Sequence, residues 1–186
     1  VASSEIHSVQ SVSGNQPRIR RIGEKATQTF LFGTPVQIDS VTGFVQAWDG
    51  VTITNGIAGF SKEFGANLTT GGVAQQQTFG SVPNEALAVN ISRPYFNDGQ
   101  TGFEVSAQDT VFLGQVGPAQ TAVQSDIGKQ YGLTKDTDGH WFVDRTKTTI
   151  GTNTVVTIVK LDPNDQSATP RGVYFTVLPS AAQIVA

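Results

Sequence analysis

Downstream of residue 29, apolar and polar residues alternate with a period of two over much of the chain and almost nowhere with the period of a helix. In the stretch 30–50, FLFGTPVQIDSVTGFVQAWDG, Val36 and Ile38 alternate with Gln37 and Asp39, and Val45 and Ala47 with Gln46 and Trp48. Each run has one face suited to a core, and the turn residues between them predict a hairpin that serves as scaffold. Residues 53–60, ITNGIAGF, predict another short strand. Residues 103–116, FEVSAQDTVFLGQV, predict a strand pair around Gln108 and Asp109. The clearest hairpin is 131–145, YGLTKDTDGHWFVDR, because Asp138 and Gly139 tolerate the positive φ of a tight turn and Trp141, Phe142 and Val143 suit the return strand. Residues 154–161 (TVVTIVKL) and 172–178 (GVYFTVL) complete the set of strong strands.

The remaining stretches interrupt this pattern. Four glycines within 61–83 predict a loop excursion or a loose hairpin, and Pro94 places the end of a strand over 85–96 at a sheet edge or strand end. Residues 121–130 carry the one local helical signal, shortened by Gly128. The tail from Ser180 either packs or extends. Residues 1–29 have no sustained period and read as an extended, loosely docked N-terminal arm, of which residues 1–21 are expected to be removable without unfolding the rest. The expected fold is therefore all-β: a small barrel or sandwich of short antiparallel strands with little helix, one domain over 30–186 preceded by the arm 1–29.

Composition narrows the function more than the fold. The chain has no cysteine, which excludes disulfides, thiolate metal sites and cysteine nucleophiles. A net charge of −3 argues against a general nucleic-acid binder, and no window approaches the ~18 apolar residues of a membrane-spanning helix. The opening VASSEIHSVQ lacks the apolar segment of a secretion signal. Charged residues make up only 15%, against about 25% in an average soluble domain, so much of the surface is uncharged and easily buried against a neighbour. That surface, with strand edges left open, predicts self-association.

Candidate chemistry is sparse. The only imidazoles are His7, in the arm, and His140, beside a hairpin turn, and no nucleotide, hydrolase or zinc-protease motif is present, so no enzymatic activity, cofactor or catalytic residue is expected. Asp136 to Gly139 and Asp162 to Asp165 gather hard oxygen ligands, but neither stretch has the bidentate glutamate of a calcium loop, and both read as turn chemistry rather than metal sites. Trp48 and Trp141 fit core or rim packing better than a sugar-binding groove. Arg18, Arg20, Arg21 and Lys25 form a local basic patch on an acidic chain. It reads either as a solvated segment or as a contact for carboxylates on another protein, with Ile19 and Ile22 adding apolar contact.

The run FLFGTPVQIDSVTGFVQAWDG followed by GIAGFS resembles a recurring signature of tailed-bacteriophage capsid decoration (cement) proteins, and SDIGKQYGL, GHWFVD and RGVYFTVL are similar to their closing half. The resemblance covers roughly residues 26–180. It implies a structural protein on the outer surface of the virion, a homotrimer whose partner is the major capsid protein and which reinforces contacts between capsid subunits. No membrane or direct nucleic-acid partner is implied. Capsid-interface candidates are Arg18, Ile19, Arg20, Arg21 and Ile22, on an arm expected to become ordered on the capsid. The competing expectation is a glycan- or surface-binding β module acting through Trp48 or Trp141.

Overall fold

The alternating runs fold into two antiparallel sheets with no α-helix among the described residues. A computed structural model describes residues 6–11, 18–50, 56–63, 65, 100–107 and 109–184. In chain order the strands are β1 (His7–Ser11), β2 (Ile19–Gly23), β3 (Pro35–Ile38), β4 (Val45–Ala47), β5 (Gly59–Ser61), β6 (Gln100–Val105), β7 (Thr110–Gln115), β8 (Gln130–Lys135), β9 (Trp141–Asp144), β10 (Val156–Leu161) and β11 (Gly172–Val177). One sheet has the order β1-β7-β11-β10-β8-β9 and the other β2-β6-β5-β3-β4. Single bridges, Val116 to Val143 and Glu24 to Val45, curl each sheet without closing it into a barrel. The architecture is a sandwich.

Both predicted hairpins form. β3 and β4 pair in register from Val36–Ala47 to Ile38–Val45, and β8 and β9 pair around a turn in which Gly139 has φ of +92°. Val36 and Val45 are buried, with Ile38 and Ala47 packed beside them, so these four residues share one core face as their alternation requires. That cluster also holds Phe30, Phe103 and Val105. By register Phe60 lies opposite Pro35, on the other face of the same sheet, where it meets the first sheet. Its ring is 4.5 Å from Phe112 of β7 and 5.9 Å from Phe175 of β11, and this trio locks the two sheets together.

Three expectations change. Residues 103–116 do supply two strands, but they do not pair: β6 joins one sheet and β7 the other. The chain turns the corner at Ser106, whose N–H donates to the Ala58 carbonyl at 3.0 Å and whose hydroxyl donates to the Ile57 carbonyl at 2.5 Å. The helical signal at 121–130 shrinks to one 3-10 turn, Gln124–Asp126, because Gly128 adopts φ of +82° and the chain returns at once to strand β8. The N-terminal segment is extended, yet its described parts are drawn into both sheets rather than loosely docked. β1 pairs with β7, β2 pairs with β6, and Ile6 is buried in the first core. The partners of these strands are remote in sequence, so local periodicity carries no trace of them. In the glycine-rich stretch 61–83, residues 64 and 66–83 lie outside the described residues, as does the strand expected over 85–96.

The tail packs. Ala182 bridges to Ile57, and Gln183 lays its side-chain amide along Ile38, with Nε2 donating to the carbonyl at 2.5 Å and Oε1 accepting the N–H at 2.6 Å. β5 pairs with β3 only at Pro35 and Val36, so Gln183 continues the ladder where β5 leaves it.

Candidate functional site

The strand β2 is an edge strand among the described residues, with β6 as its neighbour along Ile19–Gly23. Its side chains divide into two sets. Arg21 pairs with Glu63, a nearly buried carboxylate whose Oε2 also accepts the Gly102 N–H at 3.1 Å, and Ile22 packs against the second core. These two candidates serve the fold. Arg18, Ile19 and Arg20 are exposed, with Ile19 60% accessible, although the Arg18 carbonyl is fixed by the Val105 N–H at 2.8 Å. The backbone is thus held by a sheet while three adjacent side chains project from it.

The rest of the cation inventory shows how unusual this strip is. Lys25 pairs with Asp39 at 2.6 Å, Lys62 with Glu104 at 2.9 Å and Arg145 with Asp126 at 3.0 Å. Arg171 donates twice to the Val116 carbonyl and Lys147 to that of Leu133. Lys135 and Lys160 sit over the rings of Trp141 and Tyr174. Among the described residues only the side chains of Arg18, Arg20 and Lys129 lack such a partner. A fixed backbone meets the backbone share of the ordering cost, leaving that of the side chain, and the planar guanidinium fork suits a carboxylate.

Other candidate chemistry resolves into structure. Trp48 and Trp141 are 5% and 6% exposed with ring centroids 5.5 Å apart, packed in the first core as expected. They border a groove of about 280 Å³ with Thr27, Gln28 and Asp138 at its walls, but at that exposure neither indole offers a face on which a sugar ring would stack. Oxygen or nitrogen atoms of Asp136, Asp138 and His140 lie within 4.8 Å of one another. The Asp136 Oδ1 accepts the N–H groups of Asp138 and His140 at 3.0 and 2.8 Å, which is the turn chemistry the sequence predicts. Asp165 likewise accepts the N–H groups of Arg171 and Gly172 at 2.6 and 2.8 Å. With the Ser167 hydroxyl, these bonds hold its carboxyl far below the usual range. His7 opens β1 opposite Leu113, and His140 Nδ1 is 3.7 Å from Asp136 Oδ2.

Sequence reasoning missed a buried polar knot on the opposite sheet. Asp126, fully buried, accepts from the Tyr131 hydroxyl at 2.8 Å, the Val123 N–H at 2.9 Å and Arg145 Nη2 at 3.0 Å. Burial pushes its carboxyl up, but those donors together outweigh it and hold it below its ordinary value, while burial and the same carboxylate push the Tyr131 hydroxyl up. The unfolded chain therefore takes up the Asp126 proton first. The stability this group contributes is complete above about pH 4 and is lost as pH falls through the lower folded-state value. Asp126→Asn should cost about 2 kcal/mol at neutral pH, the size of hydrogen bonds to a charged group. Urea titrations across pH should show the gap from wild type narrowing below about pH 4. A gap constant with pH would remove the ionised carboxylate from the account.

No protein-family model and no curated protein matches this sequence.

Proposed function

We propose that this chain is a structural virion protein that binds the outside of an assembled phage capsid as a homotrimer and stabilises contacts between capsid subunits. The observation that carries the reading is the strip Arg18-Ile19-Arg20: two unpartnered guanidiniums flanking an exposed aliphatic, on the edge of a rigid sheet, in a chain whose other described cations are nearly all satisfied internally. Such a strip fits a carboxylate-bearing protein surface. The low charge of the rest of the chain suits burial between neighbouring subunits, and the motif resemblance over residues 26–180 points to the same class of particle. Binding to the assembled shell and not to free subunits stabilises the shell by mass action.

The test is co-sedimentation with undecorated heads of the phage that encodes the protein. Wild type is expected to pellet with heads and to be released as salt rises, since exposed ion pairs are screened over about 8 Å at physiological ionic strength. Replacing Arg18 and Arg20 together by Glu exchanges two attractions for two repulsions and should weaken binding about tenfold, roughly 1.4 kcal/mol, with the fold unchanged. Heads that stay bare at saturating protein would sink the proposal. Sedimentation equilibrium showing only monomer at high micromolar concentration, together with monomers on the particle, would remove the trimer.

A further inference from the structure

Just beyond β2 the chain passes through a turn at which its backbone is strained. Thr27 has φ of +64°, and it is the one non-glycine residue with positive φ among the described residues. In the left-handed region Cβ crowds the following carbonyl oxygen, which glycine avoids and asparagine tolerates, whereas a β-branched side chain there is an outlier. Thr27 recovers little of that cost. Its side chain is exposed, and its hydroxyl donates to the adjacent Ala26 carbonyl at 2.6 Å.

The turn separates two parts of the chain that are anchored independently. After it, Gln28 Oε1 accepts the Ala47 N–H at 3.0 Å, and Phe30 is buried in the second core with its carbonyl taking the Gly65 N–H at 2.8 Å. Before it, β1 lies on β7 and β2 on β6, Ile6 fills the first core, Arg21 pairs with Glu63 and Lys25 with Asp39. Among the described residues both strands are at sheet edges, so they can leave and be replaced without parting any other pair of strands. The same segment from a second copy would find each of these partners in place.

We infer that in the homotrimer the segment ending at Ala26 is exchanged: each chain unbends at Thr27 and lays β1 and β2 on the next copy, around a closed ring of three. The same contacts form in both arrangements, so the turn is what separates them. A chain closed on its own sandwich carries the left-handed threonine, and an exchanged chain is free to extend there. Relief of that strain, once per chain, works against the entropy of association, and short strained connections favour exchange of this kind. The inference rests on the self-association in the reading above and names its partner, a second copy of this chain.

The chain has no cysteine, so engineered thiols report on the exchange without interference. His7 of β1 and Leu113 of β7 are register partners, and facing residues of an antiparallel pair lie about 4.5–5.5 Å apart at Cα, within disulfide reach. His7→Cys and Leu113→Cys, made in separate chains, are mixed, unfolded, refolded together and oxidised. A dimer-sized band on a non-reducing gel, absent from either variant alone, is expected, because that bond needs the segment of one chain to lie on the sandwich of another. Both substitutions in one chain, oxidised as the oligomer, should give a covalent trimer. If the mixture links no chains and the double variant in its oligomer forms bonds only within single chains, the exchange is overturned and self-association belongs to another surface. Wild type that stays monomeric, free and on the particle, overturns the trimer and the exchange together. Thr27→Gly, which adopts the turn without strain, should raise the concentration of half-assembly about tenfold, equivalent to about 1.4 kcal/mol. No change in that concentration would remove Thr27 as the hinge and with it the driving force inferred here.

Discussion

A protein lacking residues 1–23 is expected to lose most of its folding stability. The deletion removes Ile6, 1% exposed in the first core, together with β1 from the edge of one sheet and β2 from the edge of the other. Burying an isoleucine contributes about 1.5–3 kcal/mol. Two nearly buried carboxylates also lose partners: Glu104 loses the Ser8 N–H and Glu63 loses Arg21. Leaving a buried polar group short of a partner costs about 1–3 kcal/mol each, and more for a charged one. The sum, on the order of 5 kcal/mol or more, rivals the whole stability of an ordinary domain at ~5–15 kcal/mol. Urea unfolding followed by circular dichroism should show a broadened or absent transition. A truncated protein with the wild-type midpoint would mean that both strands are dispensable, and the segment would again be a simple arm.

Phe112→Ala should be nearly as damaging. The ring is fully buried, 4.5 Å from Phe60 and 5.9 Å from Phe175, so it touches both sheets at once. Truncating a buried phenylalanine typically costs about 3–5 kcal/mol through lost transfer energy and the cavity left behind. For a chain of 186 residues that corresponds to a thermal midpoint lower by about 10 °C. Calorimetry is the direct measure, and Phe112→Leu, which keeps most of the volume, should fall in between. A midpoint within a degree or two of wild type would show that the sheets are held together elsewhere.

The hairpins at 30–50 and 131–145 were legible because everything that specifies them is local: a period of two, a turn dipeptide or glycine, and an immediate return strand. β1 and β2 were not. HSVQS and IRRIG bear little alternation, and their places are set by remote strands: β1 by β7, about 100 residues further on, and β2 by β6, about 80 residues further on. The sheet crossing between β6 and β7 was hidden for the converse reason, since adjacency in sequence favours a hairpin and only the Ser106 contacts with Ile57 and Ala58 reveal a corner. The same division runs through the site. The arginine cluster was visible in composition, but which members are spoken for depended on Glu63 and the second core.

Gln183 imposes an order on the birth of the molecule. It completes the ladder at Ile38, 145 residues earlier in the chain. With ribosomes adding roughly 5–20 residues per second, Ile38 emerges on the order of ten seconds before the side chain that caps it. During that interval the N–H and C=O of Ile38 form an open template beside a half-built core, in a chain already rich in non-local pairings that close slowly. The seam is sealed late, and the nascent chain is most vulnerable to a neighbour on the same message just before Gln183 is made.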